Sequence, residues 1–201
     1  MLTQLLGRSD VTEECTLRSR FGFMAYHGGT LERTTDTVAR EAAAASGSSY
    51  YGLVQEATEA THFASTSIVP EHSPRFSAFL AHVGVVISVH GFGRHDRRRS
   101  VLLGGRNRSL AHHVAAYARA ALPTFVFHTD LGEIPNGLAG MHPRNPVNLP
   151  DGAGLQIELP PTLRWHYAAS GWSDSDGIGR APQVDALIAT LAAAARTWPV
   201  A

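Results

Sequence analysis

Residues 83–91 read VGVVISVHG, a nearly unbroken β-branched run that ends in His90 and Gly91. Such a run offers no polar face to water, so it suits a strand covered on both sides. The rest of the chain supplies the covering layers. FGFMAY (21–26), YYGLV (50–54), THFAST (61–66), SVLLGG (100–105), TFVFHTD (124–130) and GLQIELP (154–160) are expected strands. Between them the apolar spacing becomes helical. Leu31, Val38, Ala42 and Ala45 share one face of a helix expected from Thr30 to the stop at Gly47. Leu110, Val114, Ala118 and Ala121 do the same over 109–122, and Val184, Leu187, Ile188, Leu191 and Ala195 form a stripe after Pro182. Strands alternating with helices define an α/β fold. Residues 130–153 are rich in Gly, Pro and Asn and are expected to form a long irregular loop, a feature that in a compact domain usually carries function.

With 201 residues, 44% of them hydrophobic and 17% charged, the chain has the size and composition of one globular domain, expected over 1–201. Its net charge is zero with histidines neutral, so nothing global favours a nucleic acid or a membrane as partner. All 17 basic residues are arginine, and Arg94, Arg97, Arg98, Arg99, Arg106 and Arg108 crowd one short stretch. Cys15 is the only cysteine, which excludes an intramolecular disulfide and favours a reducing compartment. The first residues lack the basic start and apolar core of a signal peptide, and no segment approaches the roughly 20 apolar residues of a membrane span. A cytoplasmic location is the expectation.

The chemistry-bearing residues cluster at strand ends. His27 follows FGFMAY and His90 follows VGVVISV, and each precedes glycine. In an open α/β sheet, sites form beyond the carboxyl ends of the strands. Glu32, expected in the first turn of the next helix, lies five residues after His27, within reach of folding back towards it. Two imidazoles and one carboxylate can hold zinc with a fourth position open. Taken singly, each has an ordinary explanation: a histidine can cap a carbonyl, and a glutamate in a first turn is favoured by the helix dipole. The equivalent placement of all three is the argument for a site. His112 and His113 are adjacent on a helix, point in different directions and suit a solvated face better. Glu158 is a carboxylate inside the apolar strand GLQIELP, so it belongs to a solvated face or to a site, where it could act as general base and then acid.

These residues resemble the phage-type poly-gamma-glutamate hydrolases, relatives of the zinc carboxypeptidases. The likeness runs over about residues 21–164. It is carried by YHGGTLE (family HGG-x-x-E), THFAS, VISVHG, VLLGGRN and NPVNLPDGAGLQIEL (family N-x-x-N, then G-x-Q-x-E). It implies a three-layer α/β/α sandwich with a mixed, mostly parallel sheet. It also implies one Zn²⁺ per chain on His27, Glu32 and His90, Glu158 as the catalytic carboxylate, and hydrolysis of γ-glutamyl amide bonds in an acidic polymer or a related acidic amide. A phage-derived member would be released from the cell. Thr61 and Ala64 stand where the family has Leu and Thr, and IVPEHSPRF matches weakly, so the departures fall on the substrate side of the site.

A polyanionic substrate needs cations, and guanidinium meets carboxylate bidentately. Arg94 follows His90 closely, while Arg106, with Asn107 beside it, follows a Gly-Gly turn and is the first choice for a substrate contact. Three consecutive arginines, Arg97 to Arg99, suit a solvated loop. Asn145 and Asn148 either orient substrate or make turns, and Arg164 either pairs within the structure or binds substrate. The competing reading is a nucleic-acid-binding protein gripping through its Arg cluster. Against it, no aromatics interleave that run to stack bases.

Overall fold

The computed structural model of the chain describes residues 2–199. After a short helix, α1 (Leu2–Leu6), come strands β1 (Val11–Thr16) and β2 (Phe21–Gly29), helix α2 (Thr35–Ser46) and strand β3 (Ser49–Gln55). Helix α3 (Pro74–His82), strands β4 (Val85–Gly91) and β5 (Ser100–Gly104), helix α4 (Arg108–Ala121) and strand β6 (Val126–His128) follow. The chain closes with β7 (Gly154–Leu159), a one-turn helix α5 (Pro161–Arg164), a two-residue-per-strand hairpin of β8 (Trp165–His166) and β9 (Gly171–Trp172), and helix α6 (Pro182–Thr197).

Seven strands form one sheet in the order β1-β3-β2-β4-β7-β5-β6. Pairing is parallel from β3 through β2 and β4 to β7, and between β5 and β6; β1 on β3 and β5 on β7 are antiparallel. The β-branched run lies at the centre, with six of its seven residues buried, as its composition demands. Alternation sorts the side chains between two cores. Phe21, Phe23, Ala25, Ile87, Val89, Leu155 and Ile157 pack beneath α2, α4 and α6. Met24, Tyr26, Tyr51, Leu53 and Val86 pack beneath α1 and α3, where Phe76 and Phe79 are fully buried. With helices on both faces, this is the mixed three-layer sandwich expected.

Several local expectations are corrected. THFAST is no strand: residues 61–64 are irregular and Ser65–Ser67 form a 3₁₀ turn. Its apolar residues are too few and too mixed with polar ones to compete for a sheet position, and Phe63 is instead buried in the α3-side core. The helix expected from Thr30 begins at Thr35, because Thr34 adopts φ 78° and ends any helical run before it. That conformation is rare for a β-branched residue, and here the Thr34 hydroxyl is fixed by donating to the Ser173 carbonyl at 3.0 Å. TFVFHTD contracts to Val126–His128 at the sheet edge. Residues 130–153 form the expected loop, with three 3₁₀ turns. Strand β1 and helix α3 went unread in the sequence. VTEECT is polar because it is an edge strand, half-buried along its length. PRFSAFLAH is a short helix capped by Ser73, whose hydroxyl accepts the Phe76 N–H.

Candidate metal centre and active-site cleft

Strands β2, β4 and β7 run parallel side by side, so their carboxyl ends open on the same edge of the sheet. Register places His90 directly beside Glu158, and Ser88 beside Gln156, all on the α3-side face. Leu102 stands opposite Glu158 on the other side, so the carboxylate is walled by a histidine lane and an apolar lane. In β2 the register slips between Ala25 and Gly28. Such an irregularity lets successive residues serve one site: the Tyr26 and His27 rings both pack edge-on against His90, at 4.9 and 5.1 Å between centroids.

The chain then turns so that the Glu32 N–H donates to the His27 carbonyl at 3.0 Å. Glu32 therefore comes from the turn ahead of α2, not from its first turn. Its carboxylate lies between the two imidazoles, with Oε1 3.0 Å from His27 Nδ1 and Oε2 3.4 Å from His90 Nδ1. Oε2 also accepts the Gly91 N–H at 2.8 Å. One donor atom from each of His27, Glu32 and His90 lies within 4.8 Å of the others, an arrangement that could hold a metal ion.

The donor set fits such an ion on two further counts. The outer imidazole nitrogens are already engaged: His27 Nε2 lies 3.0 Å from the Phe63 carbonyl, and His90 Nε2 lies 2.9 Å from Ser88 Oγ and 3.1 Å from the Tyr26 hydroxyl. Partners of that kind fix the ring orientation and aim both Nδ1 atoms at the Glu32 carboxylate, where an ion would take the place of the ring proton. The second count is charge. Burial alone would raise the Glu32 carboxyl, but hydrogen bonds from His27 and His90 outweigh it and hold it well below the usual carboxylate range. Burial pushes Glu158 up to about 7, with His90 opposing and the Glu32 charge reinforcing. The Glu32 and Glu158 carboxylates thus feel one buried guanidinium, Arg164, without pairing with it, and a divalent cation would add positive charge between them.

Glu158 is held by a chain of polar side chains across the sheet. The Tyr26 hydroxyl donates to Asn145 Oδ1 at 3.2 Å, Asn145 Nδ2 to Gln156 Oε1 at 2.9 Å, and Gln156 Nε2 to Glu158 Oε1 at 2.8 Å. Asn145 Oδ1 also accepts the Val147 N–H, so this residue both makes the turn and orients the site. Gln156 and Tyr26 were not singled out from the sequence. The period of two in GLQIEL, which puts Gln156 and Glu158 on one face, is the signal that could have found the first.

The cleft above these groups has a volume of about 500 Å³. His27, Glu32, His90 and Glu158 line it, together with Arg94, Asn145 and the segment 62–66. Arg106 and Asn107 are not brought to it. Strand β5 runs antiparallel to β7, which carries them to the opposite edge of the sheet, where Asn107 caps α4 and Arg106 is exposed. Arg164 lies behind the cleft, 5% exposed, with its guanidinium 5.1 Å from the Trp172 ring and Nη1 donating to the Arg33 carbonyl. Burial lowers it to about 10, against the pull of Glu32 and Glu158.

Arg164 also explains Gly91, since a Cβ there would come within 2.6 Å of the guanidinium carbon. Overpacking of this kind typically costs about 1–3 kcal/mol, so Gly91→Ala is expected to lower unfolding stability in urea by that order. An unchanged midpoint would mean that the contact relaxes freely.

A seven-stranded mixed sheet with helices on both faces is a carboxypeptidase-like α/β fold, and here it carries a His, Glu, His group at its carboxyl edge. The chain belongs to the poly-gamma-glutamate hydrolase family, which it matches over residues 7–174. Among solved structures it is similar to a bacteriophage poly-gamma-glutamate hydrolase, at 18% identity and a TM-score of 0.78 over 92% of this chain and 87% of that one. It is likewise similar to YndL in a zinc-free apo form, at 21% identity and a TM-score of 0.77 over 94% and 91% of the two chains. A more distant likeness, at 9% identity and a TM-score of 0.51 over 94% and 96%, is to an N-formylglutamate amidohydrolase from Ralstonia eutropha JMP134. No curated protein matches the chain in sequence.

Proposed function

We propose that the protein is a zinc-dependent amidohydrolase that cleaves γ-glutamyl amide bonds in poly-γ-glutamate or a closely related acidic amide. The observation that carries this reading is the convergence of His27 Nδ1 and His90 Nδ1 on the Glu32 carboxylate, with Glu158 one strand away in the same cleft. His27, Glu32 and His90 would hold one zinc ion, leaving a fourth position open. Zinc, when bound, supplies a Lewis acid that polarises an amide carbonyl and eases deprotonation of water.

The chain's own residues supply the rest. Glu158, buried and oriented by Gln156, accepts a proton from water and returns it to the departing amine. A group with its proton affinity near neutrality suits both transfers better than an ordinary carboxylate would. Leu102, buried on the neighbouring strand, gives Glu158 an apolar wall on one side. Arg94, exposed at the cleft mouth, meets a substrate carboxylate, while Asn145 acts through Gln156 on Glu158.

The test is hydrolysis of poly-γ-glutamate by the purified protein, with metal analysis of the same preparation. About one zinc per chain, loss of turnover on chelation and recovery on adding zinc are expected. Hydrolysis untouched by exhaustive chelation would overturn the metal role. A zinc-loaded protein that cleaves N-formylglutamate but no γ-linked polymer would move the substrate to the small acidic amides. Among the described residues no helix is long and apolar enough to cross a membrane.

A further inference from the structure

A second groove, of about 340 Å³, lies next to the cleft between the loop after β4 and the β8–β9 hairpin. Gly93 and Arg94 line both, so the two adjoin. One wall is aromatic. Trp165 and Trp172 stack edge-on across the hairpin at 5.4 Å, and Tyr167 is 62% exposed at its tip. The other wall is cationic, with Arg94 and Arg98 both exposed. The Arg98 guanidinium touches only His95 Nδ1, at 3.0 Å, and neither arginine has an ion-pair partner among the described residues. Asp96 does not neutralise them, because it faces Arg97 at 3.8 Å. No carboxylate lines this groove among the described residues.

We infer that this groove is a distal subsite for the acidic polymer, gripping units of the chain beyond the bond that is cut. The inference rests on the proposed γ-glutamyl hydrolase reading and adds where the rest of the substrate lies. A γ-linked glutamate unit carries two methylenes in its backbone and a carboxylate on the neighbouring carbon. The methylenes lie against the ring faces of Trp165 and Tyr167, where apolar contact stabilises them. The carboxylates reach Arg94 and Arg98, which form charge-assisted pairs with them. A short substrate ends within the cleft and leaves the groove empty, so the enzyme should favour long chains. Single-stranded nucleic acid is the other polyanion that arginines and aromatics can hold. Its place directly beside the proposed hydrolytic cleft favours the polyamide.

Arg98→Glu and Arg98→Gln test this, since Arg98 is exposed and takes no part in the catalytic cleft. Binding is read by tryptophan fluorescence with the metal-free protein, titrated with long poly-γ-glutamate, with γ-linked diglutamate and with an oligothymidylate. Hydrolysis is read separately on the metal-loaded protein. Arg98→Glu should weaken the long polymer about tenfold or more and Arg98→Gln by less, in binding and in KM, with kcat and diglutamate binding unchanged. Moderate salt should reproduce part of the loss in the unsubstituted protein. Equal effects on long and short ligands, or none, would overturn the subsite while leaving hydrolysis intact. Oligothymidylate binding as tightly as the polymer, and lost in Arg98→Glu, would overturn it in favour of a nucleic-acid groove. Arg98-dependent polymer binding without any hydrolysis would instead sink the hydrolase reading alone.

Discussion

Glu158→Gln is expected to cut turnover on poly-γ-glutamate by about 10²–10⁴-fold while leaving the zinc content unchanged, since that is the usual worth of a general acid–base group. The amide can still accept the Gln156 N–H, so the site keeps its shape and loses only a proton acceptor. A second consequence separates this role from damage to the fold. In the metal-free protein the Glu158 carboxyl is raised from 4.5 to about 7 by burial. The folded state therefore binds more protons than the unfolded state between those values. Stability is lost as pH climbs through that window and stays lost above it. A shift of that size corresponds to about 3 kcal/mol. Metal-free Glu158→Gln should thus match the unsubstituted protein near pH 4 and exceed it by on the order of 3 kcal/mol at pH 8, in urea unfolding. Near-normal turnover would place the base elsewhere, and loss of zinc would make Glu158 a ligand. A variant less stable at pH 8 would show that the buried charge is compensated by something other than the metal.

His90→Ala should abolish hydrolysis by removing the zinc itself. The substitution takes away one of three proposed protein ligands and also the partner of Ser88 and Tyr26. Removing an outer partner of a metal ligand typically costs about 10–100-fold in metal affinity, and losing the ligand must cost more. Elemental analysis after dialysis should find the variant nearly free of zinc, and added zinc should restore little. The Glu32 carboxylate would keep His27 and the Gly91 N–H as partners, so the fold should persist, with far-ultraviolet circular dichroism unchanged. Full zinc occupancy in a folded His90→Ala protein would remove this residue from the metal centre.

The sheet and its outer helices were legible in the sequence because their signals are local. A β-branched run with no polar face, as in residues 83–89, has few places to go except a central strand, and the stripe after Pro182 specifies α6 without reference to anything else. Strand β1 and helix α3 were not legible: an edge strand needs only one buried face, and nine residues give a helix little periodicity to show. The expected strand at THFAST failed for the complementary reason, since its place beside His27 depends on a neighbour rather than on its own pattern.

For the site, sequence alone determined the residue types and their strand-end positions, because strand alternation and parallel crossovers bring His27, His90 and Glu158 to one edge. Only the tertiary structure decided which cations share that edge. Arg106 and Arg94 both follow apolar segments and glycines, but β5 runs antiparallel to β7, and strand direction is set by pairing across the sheet, not by the strand's own residues. That pairing sends Arg106 away and leaves Arg94 at the cleft. The link from Asn145 through Gln156 to Glu158 was beyond sequence for the same reason: it joins a loop turn to a strand eleven residues later, and only packing brings them within hydrogen-bond distance.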